Sequence, residues 1–419
     1  MNPIHHDAHD HNQNHAAKRK LTSLPILHEL KDPRFIKNAP KSLYELHKLP
    51  GPGIFRSPFS NELLVTRHQA LNTLMSDARM GAQLQEQADA ELWNGKLGML
   101  RRNNPFNIQE PSHTVIRRIL FKLIARPTIV NELRPLAYEI AMELLRDLKG
   151  KGRVDLVKDF AFPLAHRLWA EMLDIPIDTA AELQLLANAM SSSFNFHFNM
   201  RDKEKIDTAA ERVWNVISAT RFSEGENLFN SVEQSLSEVD SANEFSAKGI
   251  IAGMNFDINH TAPGMTANAL HLLRNNDEIL NRLRDDHKKI SDAWLEATRY
   301  ISPVLGLRRS TLETVTLEGI EIPAGINIIT YWAAGNMDPE AFPEPSTFNI
   351  DRKNLNQVIA FGGGNRSCLG RNIAKALGIA AIEALINSEF EITPLKHQVD
   401  WGNQISLIRV VDEIPVIVN

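Results

Sequence analysis

The chain has one cysteine, Cys368, in 419 residues. No disulfide can form within it, which fits a reducing cytoplasm. It has no apolar run approaching the ~18 residues of a membrane span, and its first residues show no apolar signal-peptide segment. Gly/Ser/Pro-rich linkers, internal repeats and low-complexity tracts are absent. So are a Gly-x-Gly-x-x-Gly nicotinamide fingerprint and a flavin-like domain. A net charge of −5 gives no argument for nucleic acid. The expectation is a cytoplasmic, monomeric protein without a membrane anchor, with the 43% hydrophobic and 23% charged residues of an ordinary globular chain.

Residues 1–20 carry His5, His6, His9, His11 and His15 among Asn, Asp and Gln, with almost nothing apolar to bury. They read as a disordered tail ahead of a single domain over 21–419; a metal-binding strip is the alternative. Helical periodicity marks 131–147, 181–190, 267–287 and 374–387, while 63–66 and 315–322 look extended. The latter ends in Ile322-Pro-Ala-Gly325, a turn signal. The fold class is therefore mainly α with small β-sheets.

Cys368 stands in Phe361-Gly-Gly-Gly-Asn-Arg-Ser-Cys-Leu-Gly370, immediately ahead of an apolar helical stretch. A lone cysteine is commonly a small buried hydrophobe, but these neighbours point elsewhere. Three consecutive glycines allow close backbone approach to a bulky planar group. Loop N–H groups and a helix N-terminus favour a thiolate.

The segment resembles the haem-binding loop Phe-x-x-Gly-x-Arg-x-Cys-x-Gly of the cytochrome P-450 family, with Phe361, Gly364, Arg366, Cys368 and Gly370 all in place. The resemblance implies the cytochrome P-450 fold, with haem b (iron protoporphyrin IX) between an oxygen-activating helix and the cysteine loop. Cys368 would then be the metal ligand, whose thiolate favours O–O cleavage. Arg366 would pair with a haem propionate and Phe361 would pack beside the sulfur. Other family signatures follow in order. Glu296 and Arg299 resemble its buried Glu-x-x-Arg, and Arg352, at the end of a stretch resembling its meander, would complete a structural triad. His113 and Arg117, four apart and so on one helix face, resemble its propionate-gripping pair. Arg309 occupies the position of a further propionate-binding arginine; guanidinium groups suit two carboxylates.

The oxygen-activating helix departs from the family. The usual acid–alcohol pair is missing from Gly253-Met-Asn-Phe-Asp-Ile-Asn-His-Thr-Ala-Pro-Gly-Met265. One register, requiring a deletion, puts Gly264 and Met265 at those positions. The gapless register puts His260 and Thr261 there and is preferred. Asp257, His260 and Thr261 then share a helix face. Pro263, which has no N–H to donate and whose ring clashes with the preceding turn, should open the helix. Thr261 is expected to order the reacting oxygen while His260 or Asp257 feeds protons; a His260 that faces away is the plain alternative.

The resemblance further implies a monooxygenase that inserts one atom of O2 into an organic molecule. Electrons would come from a ferredoxin and its reductase. Arg118 and Lys122, with Arg371 and Lys375, would form a basic patch that steers this acidic partner. The pocket would draw on 191–200, where Phe194, Phe196 and Phe198 alternate with Asn195 and His197, on the 256–261 face and on 303–306. A mainly apolar pocket is the default, so a hydrophobic small molecule such as a terpenoid, steroid or polyketide is expected. A peroxide-driven or ring-forming haem-thiolate enzyme and a non-enzymatic haem sensor remain as alternatives.

Overall fold

The computed structural model describes residues 21–419 apart from 33, 36–38, 84–92, 197–199, 390 and 396–405. The expected tail over 1–20, and His197 and Phe198, lie outside the described residues.

The helix Arg371–Asn387 is the central beam. Gly370 precedes it, and the Ala374 N–H closes its first turn on the Gly370 carbonyl at 2.9 Å. From Ala376 to Ile386 every residue is buried, as an Ala/Ile/Leu-rich sequence with almost no charge dictates. It packs against Ile129–Leu148, Ala262–Leu273 and Ile290–Tyr300. Its one buried carboxylate, Glu383, pairs with Arg134 of Ile129–Leu148.

The five-stranded sheet runs in the order Ile54–Arg56, Leu63–Val65, Asn327–Thr330, Leu307–Thr311, Met80–Ala82. Only the Leu63–Val65 and Asn327–Thr330 pair is parallel. Its register sets Arg309 opposite Ile328 on one side and Ala82 on the other, within the buried part of the sheet.

Two expected elements come out differently. The segment 315–322 is a hairpin, Val315–Leu317 against Ile320–Ile322. Glu318 and Gly319 turn it with φ of +48° and +74°, the left-handed pair that a two-residue hairpin of this twist requires. The helix expected over 267–287 is broken at Leu273. Asn276 accepts from the Ile279 N–H at 3.1 Å and starts a new helix, Asp277–Asp285; a side-chain cap competes with helix continuation. No helix among the described residues is long and apolar enough to cross a membrane.

Candidate active site

One cavity of about 290 Å³ is lined on one side by Phe361, Cys368 and Gly370, and on the other by Gly253, Asp257 and Thr261. The sequence motifs thus meet across a single space.

The cysteine loop forms one wall. Its shape is held by the Cys368 N–H donating to the Phe361 carbonyl at 2.8 Å. Gly364 is required here: φ is +64°, and a Cβ would come within 2.1 Å of the Met75 carbonyl oxygen. This glycine serves the packing of the loop on the helix His68–Ser76, a different close approach from the one expected. Phe361 is buried, with its ring 5.8 Å from that of Trp294 and the Arg371 guanidinium 5.2 Å away.

Cys368 lies deep in the molecule, and the surface it shows faces the cavity. Burial pushes its thiol up to about 11, against the opposing pull of the Gly370 and Arg371 N–H groups. The Gly370 and Arg371 N–H groups favour the thiolate, and in the fold desolvation outweighs them. A metal bound at the sulfur would hold it as the thiolate.

The basic side chains His113, Arg117 and Arg366 line the cavity, and Arg309 lies behind Phe106, which lines it too. His113 and Arg117 both line the cavity from the helix Ser112–Leu120. His113 is buried and its Nδ1 bonds Glu110 at 2.9 Å. Arg117 donates to the Ser367 carbonyl and hydroxyl, each at 2.8 Å, which ties this helix to the cysteine loop. Arg366 donates to the Phe106 and Ile108 carbonyls at 3.0 Å. The bonds shown for these two expected propionate ligands thus brace the loops around the cavity. Arg309 differs. It is buried, its guanidinium stacks 3.8 Å from the Phe106 ring centroid, and its Nη1 has no hydrogen-bond partner. Burial, and then the neighbouring Arg366 charge, hold it well below the ordinary arginine range. An orphaned buried guanidinium beside a second one calls for an anion. The carboxylates of a haem, with the sulfur ligand facing the same cavity, fit these residues.

The opposite wall is the helix Ala247–Phe256, continued through a π-helical turn, Asp257–Thr261, into Ala262–Leu273. The opening expected before Pro263 is this turn. Pro263 offers no N–H to the preceding turn, and within that turn the Thr261 hydroxyl donates to the Asp257 carbonyl at 2.5 Å. The wider turn also separates residues expected on one face. Asp257 and Thr261 line the cavity; His260 does not. Its ring stacks on Phe256 at 5.0 Å and meets Phe162 edge-on at 6.2 Å. Burial lowers it to about 4, so it stays neutral. His260 is thereby corrected from proton donor to packed core histidine.

Asp257 shows its surface to the cavity from deep inside the protein, and burial raises its carboxyl to about 6 against one hydrogen bond from Asn104. Asn104 was missed in the sequence. Its Nδ2 donates to Asp257 Oδ2 at 2.7 Å and to the Gly253 carbonyl at 2.8 Å, and its Oδ1 accepts from the Phe106 N–H at 2.8 Å. The available signal was Gly253, where a Cβ would lie 2.7 Å from the Asn104 nitrogen. Phe194 reaches the cavity and stacks on Phe256 at 4.6 Å. Phe196 packs on Phe59 at 5.3 Å and under Arg308, which lines the cavity and bonds Glu62 at 2.7 Å.

Behind the cysteine loop, Glu296 and Arg299 pair at 2.7 and 2.8 Å with both side chains fully buried. Arg352 joins Glu296 at 3.0 Å.

A family model described as "Cytochrome P450" matches residues 292–410. The putative cytochrome P450 133B2 of Xylella fastidiosa (strain Temecula1 / ATCC 700964) is 27% identical over 363 residues, 83% of this chain and 88% of that protein. The mycinamicin IV hydroxylase/epoxidase of Micromonospora griseorubida is 26% identical over 377 residues, 86% of this chain and 91% of that protein. Among solved structures, the myxobacterial cytochrome P450 CYP267B1 in complex with myristic acid superposes with a TM-score of 0.81 at 21% identity, covering 94% of this chain and 99% of that one. That likeness shows the fold.

Proposed function

The chain belongs to the cytochrome P450 family and is a haem-thiolate monooxygenase, and from that premise we propose that it oxidises a small hydrophobic molecule with electrons from a ferredoxin-type partner. The observation that carries this reading is the shared cavity, with Cys368 on one wall and Asp257 and Thr261 on the other. Bound haem, of the b type on this reading, supplies O2 activation and oxygen insertion. Cys368 would hold it at the sulfur, and Arg309, His113, Arg117 and Arg366 at its carboxylates, with Phe361 and Gly370 at the sulfur side and Gly364 fixing the loop. Lining residues such as Leu97, Leu100, Val304 and Leu407 support an apolar substrate, since burying apolar surface is what such walls reward. The product that the mycinamicin relative's name implies is of the same broad kind, a hydroxylated or epoxidised organic molecule.

Within the cavity, the Thr261 hydroxyl is anchored on the Asp257 carbonyl, which leaves its oxygen to accept from, and so position, a water at the reacting face. The Asp257 carboxyl, raised by burial to about 6, stands beside Thr261 on the same cavity wall. His260, neutral and packed, has no part in this. Thr261→Ala is expected to leave electron consumption largely intact while product per electron falls roughly tenfold, the scale on which one positioned hydrogen bond acts. Oxygen uptake compared with product yield checks it; normal coupling would remove Thr261 from the assignment.

Arg118, Lys122 and Arg371 are exposed and Lys375 is half-buried. All lie on the cysteine side, on or next to the helices Ser112–Leu120 and Arg371–Asn387, which supports docking of an acidic electron donor there. The reading as a whole is tested by turnover with a ferredoxin, its reductase and O2, on a panel of apolar substrates. Product formed with peroxide alone, and none with the reductase system, would favour the peroxide-driven alternative.

A further inference from the structure

Asp257 is the one carboxylate among the described residues that line the cavity. Its Oδ2 takes the Asn104 hydrogen bond at 2.7 Å. Asn104 is held on both sides of its amide, by the Gly253 carbonyl and the Phe106 N–H, so the carboxylate it holds is fixed in direction. Oδ1 accepts no hydrogen bond from any described residue. Among the described residues no arginine or lysine pairs with Asp257 either. Arg117 and Arg366 bond loop carbonyls, and Arg308 bonds Glu62. Asn104 could tie its loop to the helix through the Gly253 carbonyl alone; that tie explains neither a charged side chain at 257 nor its open oxygen. A fixed carboxylate with one free oxygen, facing a cavity whose walls include Leu97, Leu100, Phe194 and Leu407, lacks a counter-charge.

We infer that Asp257 is the anchor for a cationic nitrogen on the substrate, which makes the substrate class a hydrophobic amine carried into the cavity in its protonated form. This rests on the cavity being the substrate site. The ammonium supplies the missing charge, and its apolar body covers the surrounding walls. Because Asp257 sits one turn before Thr261 on the same cavity-lining stretch, the nitrogen end of the substrate, and the carbons next to it, lie at the reacting face. The far end of the chain points away from it. Asn104 is the positioning residue for this anchor.

The test uses the haem-loaded protein and three ligands of one chain length: decyltrimethylammonium, decanol and decanoate. A quaternary head carries charge without ligating iron. Isothermal calorimetry is expected to show the ammonium binding at least about tenfold tighter than the alcohol, with decanoate weakest, since a partly desolvated ion pair is worth a factor of this size or more. Asp257→Asn should bring the ammonium-to-alcohol ratio to about one, and Asp257→Glu should keep most of it. Asp257→Ser gives the same readout should the asparagine variant not fold. Equal binding of all three ligands, a preference for decanoate, or a ratio unchanged in Asp257→Asn overturns the anchor and leaves the apolar substrate site standing. Binding of none of the three overturns both.

Discussion

Cys368→Ser abolishes the red-shifted Soret band of the reduced, carbon-monoxide-bound protein and takes turnover to background. The reason is electronic. A thiolate held to bound haem would supply the electron density that favours O–O cleavage, and a serine oxygen in the same place would not. Structural collapse does not account for the loss. The 2.8 Å bond that shapes the loop is made by the backbone N–H of residue 368, and serine keeps it. Gly364 and Arg366, which fix the rest of the loop, are untouched. The variant should therefore fold and still take up haem, held at its carboxylates by Arg117 and Arg366, which line the cavity, and by Arg309, whose Nη1 has no hydrogen-bond partner among the described residues. Absorption spectra of the reduced protein with carbon monoxide check this, beside thermal denaturation of both proteins. A band that survives in Cys368→Ser would refute thiolate ligation. A variant that cannot hold haem at all would show that the sulfur does more of the binding than these arginines.

What was legible in the sequence was what depends on fixed local spacing. The cysteine loop, the Glu296–Arg299 pair and the His113–Arg117 pair are each set within one loop or one helical turn, so their geometry follows from residue counts. Arg352 and Arg309 were named by resemblance; in the fold Arg352 joins Glu296, and Arg309 is buried against Phe106 with Arg366 nearby. What was hidden depends on departures from regular geometry. His260 looks like Thr261's partner if the helix keeps its usual period; a π-helical turn changes that period and turns the imidazole into a stack of aromatic rings. The helix over 267–287 shows continuous periodicity, yet the Asn276 cap cuts it. Asn104 belongs to a loop far from Asp257 in sequence, so only tertiary packing against Gly253 brings the two together. The thiol's full electrostatic balance was hidden for a related reason. Backbone dipoles can be inferred from a loop and the helix after it, whereas the desolvation that outweighs them comes from the whole fold.

Glu296→Gln destabilises the protein by about 3–5 kcal/mol, the cost of leaving buried charge without its partner. Glutamine keeps the shape of the side chain and removes only the charge, yet two guanidinium groups depend on that charge. Arg299 is fully buried beside it, and Arg352 is nearly so. These arginines also hold the segment that leads into the cysteine loop. Arg299 donates to the Asn336, Pro345 and Thr347 carbonyls, and Arg352 to those of Pro343, Glu344 and Thr347. Glu296 itself accepts from the Asn349 N–H at 2.9 Å. Trp294, on the same helix as Glu296, packs its ring against Phe361 at 5.8 Å. Loss of the central charge should therefore loosen the wall that carries Cys368 as well as lower global stability. Since a protein of this kind has roughly 5–15 kcal/mol in all, the effect is large. Denaturant unfolding of the two proteins measures the first consequence, and the rate of haem transfer to an acceptor protein the second. A change under about 1 kcal/mol would mean that the triad is solvated in solution and contributes no more than a surface pair. A full loss of stability without faster haem release would instead separate the triad from the cysteine loop. The glutamate would then support the fold alone.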